Sequence, residues 1–398
     1  MSRRERVVIA HRIPAAVTPL GSWLTEIADD VVLVTSAEAA DGYRGAMGEV
    51  IAVADYGSNE TVEVLRRLCR DGGVSRIVSG TEDDVLRVAA VREEFGLPGM
   101  HTVAATAFID KLVMKAAAGR AVEVPRHTGD IDPDHLRDFA SRVPGPWVVK
   151  PRRSYGSRGI EVVTGIGHLL AETAGRDPDD TLVEQFVDGT LHHVDGFMCG
   201  GEVVLALPSE YLGTCLSFQD STPLGSVQLD AADPVCRQLV DFAHAVVGAL
   251  PATDAGPFHL EVFRRPDGSL VFCEIACRLG GGHIMESLTY RLGVNPVQVW
   301  YRLQAGLPAD IPTVPAAGSV GFLLVPPRIG TLTAIDTPDL PGYVRDFCIR
   351  TEVPRDFRGA TASTDELLGF VVDGPTAATV RENLRSCTAL ADRITTWV

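Results

Sequence analysis

The chain has 398 residues, 45% of them hydrophobic and 22% charged, with a formal net charge of −16 at pH 7. That length holds two or three domains with cores of their own, and the composition is ordinary for a globular protein. The acidic balance and the lack of a long basic tract argue against nucleic acid, which needs clustered Lys and Arg, and no run of about 18 apolar residues offers a membrane span.

The chain opens with a basic stretch, but Val7–Ala10 is too short for the apolar core of a signal peptide. Four short apolar runs follow, at Val7–Ala10, Val31–Val34, Ile51–Ala54 and Arg76–Ser79. Runs of this kind suit a buried parallel sheet. Between them a helix is expected over Asn59–Arg70 with Asn59 as its cap. Another starts at Thr81-Glu-Asp-Asp84 in the manner of a capping box. This is a small α/β, Rossmann-like domain. Its first strand leads into Ala10-His-Arg-Ile-Pro14 instead of a Gly-x-Gly-x-x-Gly turn, which disfavours dinucleotide binding.

Thr106–Arg120 reads as one helix, Val122–Pro125 as a short strand and Asp132–Arg142 as another helix. The strand Trp147–Lys150 then runs into a small-residue loop, Pro151-Arg-Arg-Ser-Tyr-Gly156-Ser-Arg-Gly159. Glycines let backbone N–H groups approach a ligand, and with Lys150, Arg152, Arg153 and Arg158 beside them the loop suits an anion such as phosphate. Thr181–Val187 is a strand. Gly200-Gly201 is a hairpin turn, and the neighbouring His192 and His193 point to opposite faces of their strand. Asp233–Leu250 and Pro296–Ala305 are helical. From about residue 311, Pro312, Pro315, Pro326 and Pro327 break the chain, and short strands with a last helix over Thr376–Ala389 make a C-terminal α+β lobe. The eight cysteines are scattered, and no pair has zinc spacing; they read as reduced thiols of a cytoplasmic protein.

The most informative stretch is His259–Arg278, two strands joined at Asp267-Gly268. A two-residue loop there sets Pro266 opposite Ser269 and Glu261 opposite Glu274. Facing carboxylates repel, which raises the pKa of at least one, unless an oxygen-seeking ion such as Mg²⁺ lies between them. A three-residue loop shifts the register by one and parts the two glutamates. Both registers stand at this point.

Four stretches together, in order and spacing over residues 106–306, resemble the ATP-grasp superfamily. They are Asp110-Lys111, Lys150–Gly159, Glu184–Val187 with Gly189 and His192, and Glu261 with Glu274-x-x-x-Arg278-x-Gly-Gly. The resemblance is to the biotin-carboxylase-like branch, and within it to the L-amino acid ligases that make dipeptides. It implies an N-terminal domain over 1–105, an ATP-grasp core of two α+β subdomains over 106–310 with a lid at about 112–185, and the C-terminal α+β lobe over 311–398. Lys111 and Lys150 match the lysines on the ATP phosphates. Ser154, Gly156, Ser157 and Gly159 match the mobile loop above them. Glu184, Gln185, Phe186 and Val187 match the adenine edge, and His192 a ribose contact. Glu261 and Glu274 match the Mg²⁺ ligands, with Mn²⁺ as an alternative ion, and Arg278 the arginine near the transferred phosphate. Gly281, Gly282 and His283 would cradle the acceptor. Lys115 competes with Lys111 for the phosphate role but reads first as a solvated helix residue. Ala276 stands where many relatives carry a ligating Asn, which leaves a second metal's coordination open. The activity implied is an ADP-forming carboxylate–amine ligase working through an acyl phosphate on a small acid and an amine, with a homodimer as the default assembly. The alternatives are a bicarbonate-using carboxylase or purine-pathway ATP-grasp enzyme, and a non-catalytic nucleotide-binding protein.

Overall fold

The computed structural model describes residues 5–214, 217–313 and 317–398; the first four residues, at the basic start of the chain, and Pro315 lie outside them. Strands β1 (Arg6–Ala10), β2 (Val31–Ser36), β3 (Glu49–Val53) and β4 (Val74–Ser79) form a parallel sheet in the order β3-β2-β1-β4. Val8, Ile9, Leu33 and Val34 are fully buried, as a sheet covered on both faces requires. The first long helix, Asn59–Arg70, is capped by Ser58, whose hydroxyl accepts the Glu60 N–H; Asn59 is already helical. At the helix Glu82–Phe95 the Thr81 hydroxyl donates to Asp84 at 2.6 Å, so the expected box closes between side chains and not onto the backbone.

The single helix expected over Thr106–Arg120 is two helices, Thr102–Ile109 and Lys111–Ala118. Asp110 breaks them apart: its backbone is extended, and its carboxylate accepts the Leu112 N–H as the N-cap of the second. The strand expected at Val122–Pro125 does not form. Glu123 gives its carbonyl to the Phe272 N–H, Pro125 has no N–H to pair, and regular pairing starts only at β5 (His127–Thr128). With β6 (Trp147–Pro151), β7 (Glu161–Val163) and β8 (Thr181–Gln185) it makes a small sheet ordered β5-β8-β6-β7. Trp147, Val149 and Val183 on one face pack on Leu136, Phe139 and Leu169 from two covering helices. Alternation along the strands turns Lys150 and Glu184 to the other face.

The large sheet takes β9 (Thr190–Cys199), β10 (Glu202–Leu212), β11 (Leu224–Gln228), β12 (Gly256–Arg264) and β13 (Leu270–Ala276), then β14 (Ser319–Val325) from beyond residue 311. It is completed by two of the remaining strands β15 (Ile329–Ile335), β16 (Val344–Ile349), β17 (Arg355–Arg358), β18 (Leu368–Gly374) and β19 (Thr395–Trp397), in the order β13-β12-β9-β10-β11-β14-β18-β16. The change of composition at residue 311 therefore does not break the sheet, since β11 pairs directly with β14. Gly200 and Gly201 turn β9 into β10 with φ of +61° and +87°, the left-handed pair a two-residue hairpin needs. The helix Pro234–Ala249 covers one face through Leu239, Ala243 and Val246 against Phe258, Leu260 and Val262. Among the described residues no helix is long and apolar enough to cross a membrane.

Candidate active site

Glu261 does face Glu274, but not by way of a two-residue turn. Arg264 pairs with Leu270, the Arg265 N–H donates to Ser269, and the Gly268 N–H donates back to Arg265. The loop is thus three residues, Pro266, Asp267 and Gly268, with Gly268 at φ +87°. That register alone would part the glutamates. A bulge at Cys273 adds one residue to β13, and from there His259 pairs with Ala276, Leu260 with Ile275 and Glu261 with Glu274. The freed Cys273 carbonyl accepts the Lys115 ammonium at 2.7 Å.

Lys115 is fully buried, not the solvated residue expected. Its ammonium lies 2.9 Å from one oxygen of Glu184, and that of Lys150 lies 2.6 Å from the other. Burial alone would push Glu184 up; the two lysines reverse this and hold it at about 2. Burial works against both ammonium groups. It wins at Lys115, whose pKa is lowered with Lys150 nearby, and loses to Glu184 at Lys150, whose pKa is raised. Glu184 therefore joins the small sheet to the Lys111–Ala118 helix, and its carboxylate is committed there. The N–H groups of Gln185 and Phe186 are taken by the carbonyls of Arg126 and Pro146, Phe186 stays exposed and Val187 is buried.

Lys111 donates to the Ser154 carbonyl at 2.5 Å and stands 3.3 Å from Glu274. Burial raises Glu274, but Lys111, Lys150 and Arg278 outweigh it and hold the group at about 2, the opposite of the like-charge shift expected from the facing pair. Arg278 is anchored to the helix Glu82–Phe95. Its Nε donates to Glu82 at 2.5 Å, and its pKa, which burial would lower, is raised chiefly by that glutamate. Next to Glu82, Asp83 takes the Tyr155 hydroxyl at 3.2 Å and pairs with Arg12. Tyr155 belongs to the glycine loop, where Gly156, Ser157 and Gly159 all have positive φ. The loop's basic cluster is partly spent: Arg152 makes two bonds to Asp110, at 3.0 and 2.7 Å, and Arg153 adds a third at 3.1 Å. These two arginines fasten the loop to the helix cap instead of standing free for an anion.

His192 pairs with Val262, on the face away from the glutamates, so the ribose contact expected of it has no support in this arrangement. His193 is the ring on their face. Its Nδ1 is 2.6 Å from Asp195, its Nε2 is 2.6 Å from the Ser226 hydroxyl, and Asp195 also holds His259 Nδ1 at 3.0 Å. His259 Nε2 then reaches to 3.5 Å from Glu261, which the Tyr211 hydroxyl also approaches at 3.3 Å. Burial opposes a charged imidazole at His259, yet Asp195 and Glu261 raise it to about 10. The sequence carried a trace of this chain of groups in the period-two spacings His193/Asp195 and His259/Glu261. Gly281 and Gly282 are exposed, while the His283 ring is buried and 2.8 Å from Glu366, which precedes β18, so it is not open to an acceptor.

Facing carboxylates with Glu274 ionised form an oxygen donor set that fits Mg²⁺ or Mn²⁺. Lys111 and Lys150 lie close enough to this pair to hold Glu274 ionised, while Lys115 is spent on Glu184 and the Cys273 carbonyl.

No protein-family model matches the chain. It is 24% identical over 278 residues to the L-arginine-specific L-amino acid ligase of Bacillus subtilis, a match covering 68% of this chain and 67% of that one. It is 34% identical over 290 residues to the N5-carboxyaminoimidazole ribonucleotide synthase of Mycobacterium tuberculosis, covering 70% of this chain and 59% of the synthase, less than two thirds of its length. Among solved structures, the L-amino acid ligase of Bacillus licheniformis superposes with a TM-score of 0.76 over 100% of this chain and 99% of that one; at 15% identity the likeness is one of fold.

Proposed function

Because the chain is an ATP-grasp protein, we propose that it is an ATP-dependent ligase that joins a carboxylic acid to an amine, with amino-acid-type substrates. In the proposed reaction a carboxylate oxygen attacks the γ-phosphorus of ATP and the bond from that phosphorus to ADP breaks. The amine nitrogen then attacks the acyl carbon of the resulting acyl phosphate, phosphate leaves, and the amine gives up a proton to form the amide.

The protein's share of this is placement and charge neutralisation. Glu261 and Glu274 would hold Mg²⁺, which when bound neutralises charge on the β- and γ-phosphates. Lys111 and Lys150 bring ammonium groups to the phosphates. Arg278, braced by Glu82, would meet the moving phosphoryl group, and the loop over Ser154, Gly156, Ser157 and Gly159 would close above it. Adenine would rest against the carbonyls of Glu184–Val187 and the exposed Phe186 ring.

The observation that carries this reading is the facing pair Glu261–Glu274 with Lys111 at 3.3 Å from the second. A screen of amino-acid pairs for ADP and phosphate release tests it. Turnover that needs both an acid and an amine supports it; ATP hydrolysis indifferent to every amine overturns it. The 34% identity to a carboxyaminoimidazole ribonucleotide synthase favours a second reading, in which bicarbonate is the acid. Bicarbonate-dependent ADP formation, with no response to amino acids, would decide for it.

A further inference from the structure

We propose that His283, Cys348 and Glu366 form a second metal site, for a divalent ion of the zinc class, that clasps the loop after β13 to the C-terminal lobe. His283 ends that loop as the N-cap residue of the helix Ile284–Leu292, Cys348 lies on β16, and Glu366 precedes β18. His283 Nε2 is 2.8 Å from Glu366 Oε2 and 3.8 Å from Cys348 Sγ, which is 3.9 Å from Glu366 Oε1. One donor atom from each residue can be chosen so that all three lie within 4.8 Å of one another. A tetrahedral zinc ion with Zn–N and Zn–O near 2.0–2.1 Å and Zn–S near 2.3 Å sets its donors about 3.3–3.6 Å apart. The ion is accommodated by opening the His283–Glu366 contact by about half an ångström and closing the His283–Cys348 contact by less, with the third separation starting below 4.8 Å.

A plain histidine–glutamate ion pair explains the short contact but not its surroundings. His283 Nδ1 and Glu286 Oε2 are buried, make no hydrogen bond and lie 3.7 Å apart. A ligating histidine keeps its other N–H for such a carboxylate. Arg350 holds Glu366 Oε1 at 3.0 Å, leaving Oε2 for the ion. Across the ladder from Cys348 stands Gly369, where a Cβ would lie 1.9 Å from His283 Nε2 and 2.6 Å from Glu366 Oε2. The backbone there is shaped around the cluster. Thiolate, imidazole and one carboxylate select a borderline ion over Mg²⁺. Binding releases to solvent the Cys348 thiol proton and the proton shared by His283 and Glu366, with the imidazole keeping its proton on Nδ1.

Metal-stripped protein titrated with Co²⁺ in excess Mg²⁺ tests the site. Expected are a single Co²⁺ per chain and a near-ultraviolet thiolate-to-cobalt band. Cys348→Ser abolishes the band with the circular dichroism unchanged, and Cys199→Ser, at an exposed thiol, leaves it intact. His283→Gln weakens Co²⁺ binding at least about tenfold; should that variant misfold, Glu366→Gln gives the same comparison. Absence of stoichiometric Co²⁺, a band that survives Cys348→Ser, or one lost with Cys199→Ser overturns the proposal.

Discussion

Glu274 stays opposite Glu261 only because Cys273 is bulged out of the ladder between them and the turn. The bulge does two things at once. It restores the register that the three-residue loop had displaced, and it frees the Cys273 carbonyl for the buried ammonium of Lys115. Bulges of this kind re-aim side chains beside functional sites.

The facing pair gives the first prediction. Neutralising one of two facing carboxylates should stabilise the metal-free protein if repulsion dominated. Here Lys111 at 3.3 Å, with Lys150 and Arg278 beyond, makes Glu274 part of a favourable cluster. Glu274→Gln should therefore lower metal-free stability by about 1–3 kcal/mol, less than for a fully buried pair because this carboxylate is partly exposed. It should also cut ADP formation by about 100-fold or more. Melts and rates measured together check both; a variant that is more stable without metal would show that repulsion governs the pair.

Glu184 gives the second. Two buried lysines share this one carboxylate. Glu184→Gln leaves Lys115 without a counter-charge and Lys150 with only the more distant Glu274, and should cost about 3–5 kcal/mol, whereas Lys115→Met, which keeps the Lys150–Glu184 pair and an apolar stem, should cost clearly less. Chemical denaturation of the two variants decides. Equal losses would mean that Lys115, not Glu184, is the centre of the network.

Much of this was legible in the sequence where the signal was local. The parallel strands announced themselves as apolar runs, Gly200-Gly201 as a hairpin turn, and helices were expected to begin at Asp132, Asp233 and Thr376, each of which is the N-cap of its helix. What stayed hidden depended on partners far along the chain. Nothing beside Asp110 says that Arg152 will hold it, so its helix break looked like continuous helix. Lys115 shares a helical stripe with Lys111, Met114 and Ala118, all buried, and that spacing was the available hint that it points inward. Its partners Glu184 and Cys273 come from two other strands. The pairing of Glu261 with Glu274, one of the two registers left open, arises from two offsetting features, a three-residue turn and a bulge, neither of which the residue types dictate.

The glycine loop gives the third prediction. Ser157 holds a left-handed backbone at φ +58° between Gly156 and Gly159, and Lys111 is tied to the Ser154 carbonyl where a phosphate would compete for it. Nucleotide binding should exchange that contact and tighten the lid. Hydrogen exchange at residues 152–159 should slow with Mg²⁺–ATP and be faster in Tyr155→Phe, which lacks the bond to Asp83. Exchange that is already slow and indifferent to nucleotide would remove the loop from the lid role.

The last prediction concerns His11, the residue that follows β1. The ring is buried, its Nδ1 is 2.7 Å from the Tyr301 hydroxyl, and its Nε2 makes no hydrogen bond. Burial disfavours the imidazolium and lowers the pKa from 6.5 to about 4, against a smaller opposing contribution from the Ile13 backbone. Between those values the unfolded chain takes up a proton that the folded chain refuses. Unfolding is therefore coupled to proton uptake, and stability falls as the pH drops from about 6.5 to about 4, then levels off. A shift of that size corresponds to at most about 3 kcal/mol across the window. His11→Asn keeps an acceptor for Tyr301 and does not titrate. Unfolding free energies of wild type and variant should therefore converge as the pH falls from 7 to 5, the wild type losing more over that range. Parallel curves would show that His11 is free to protonate in the folded state.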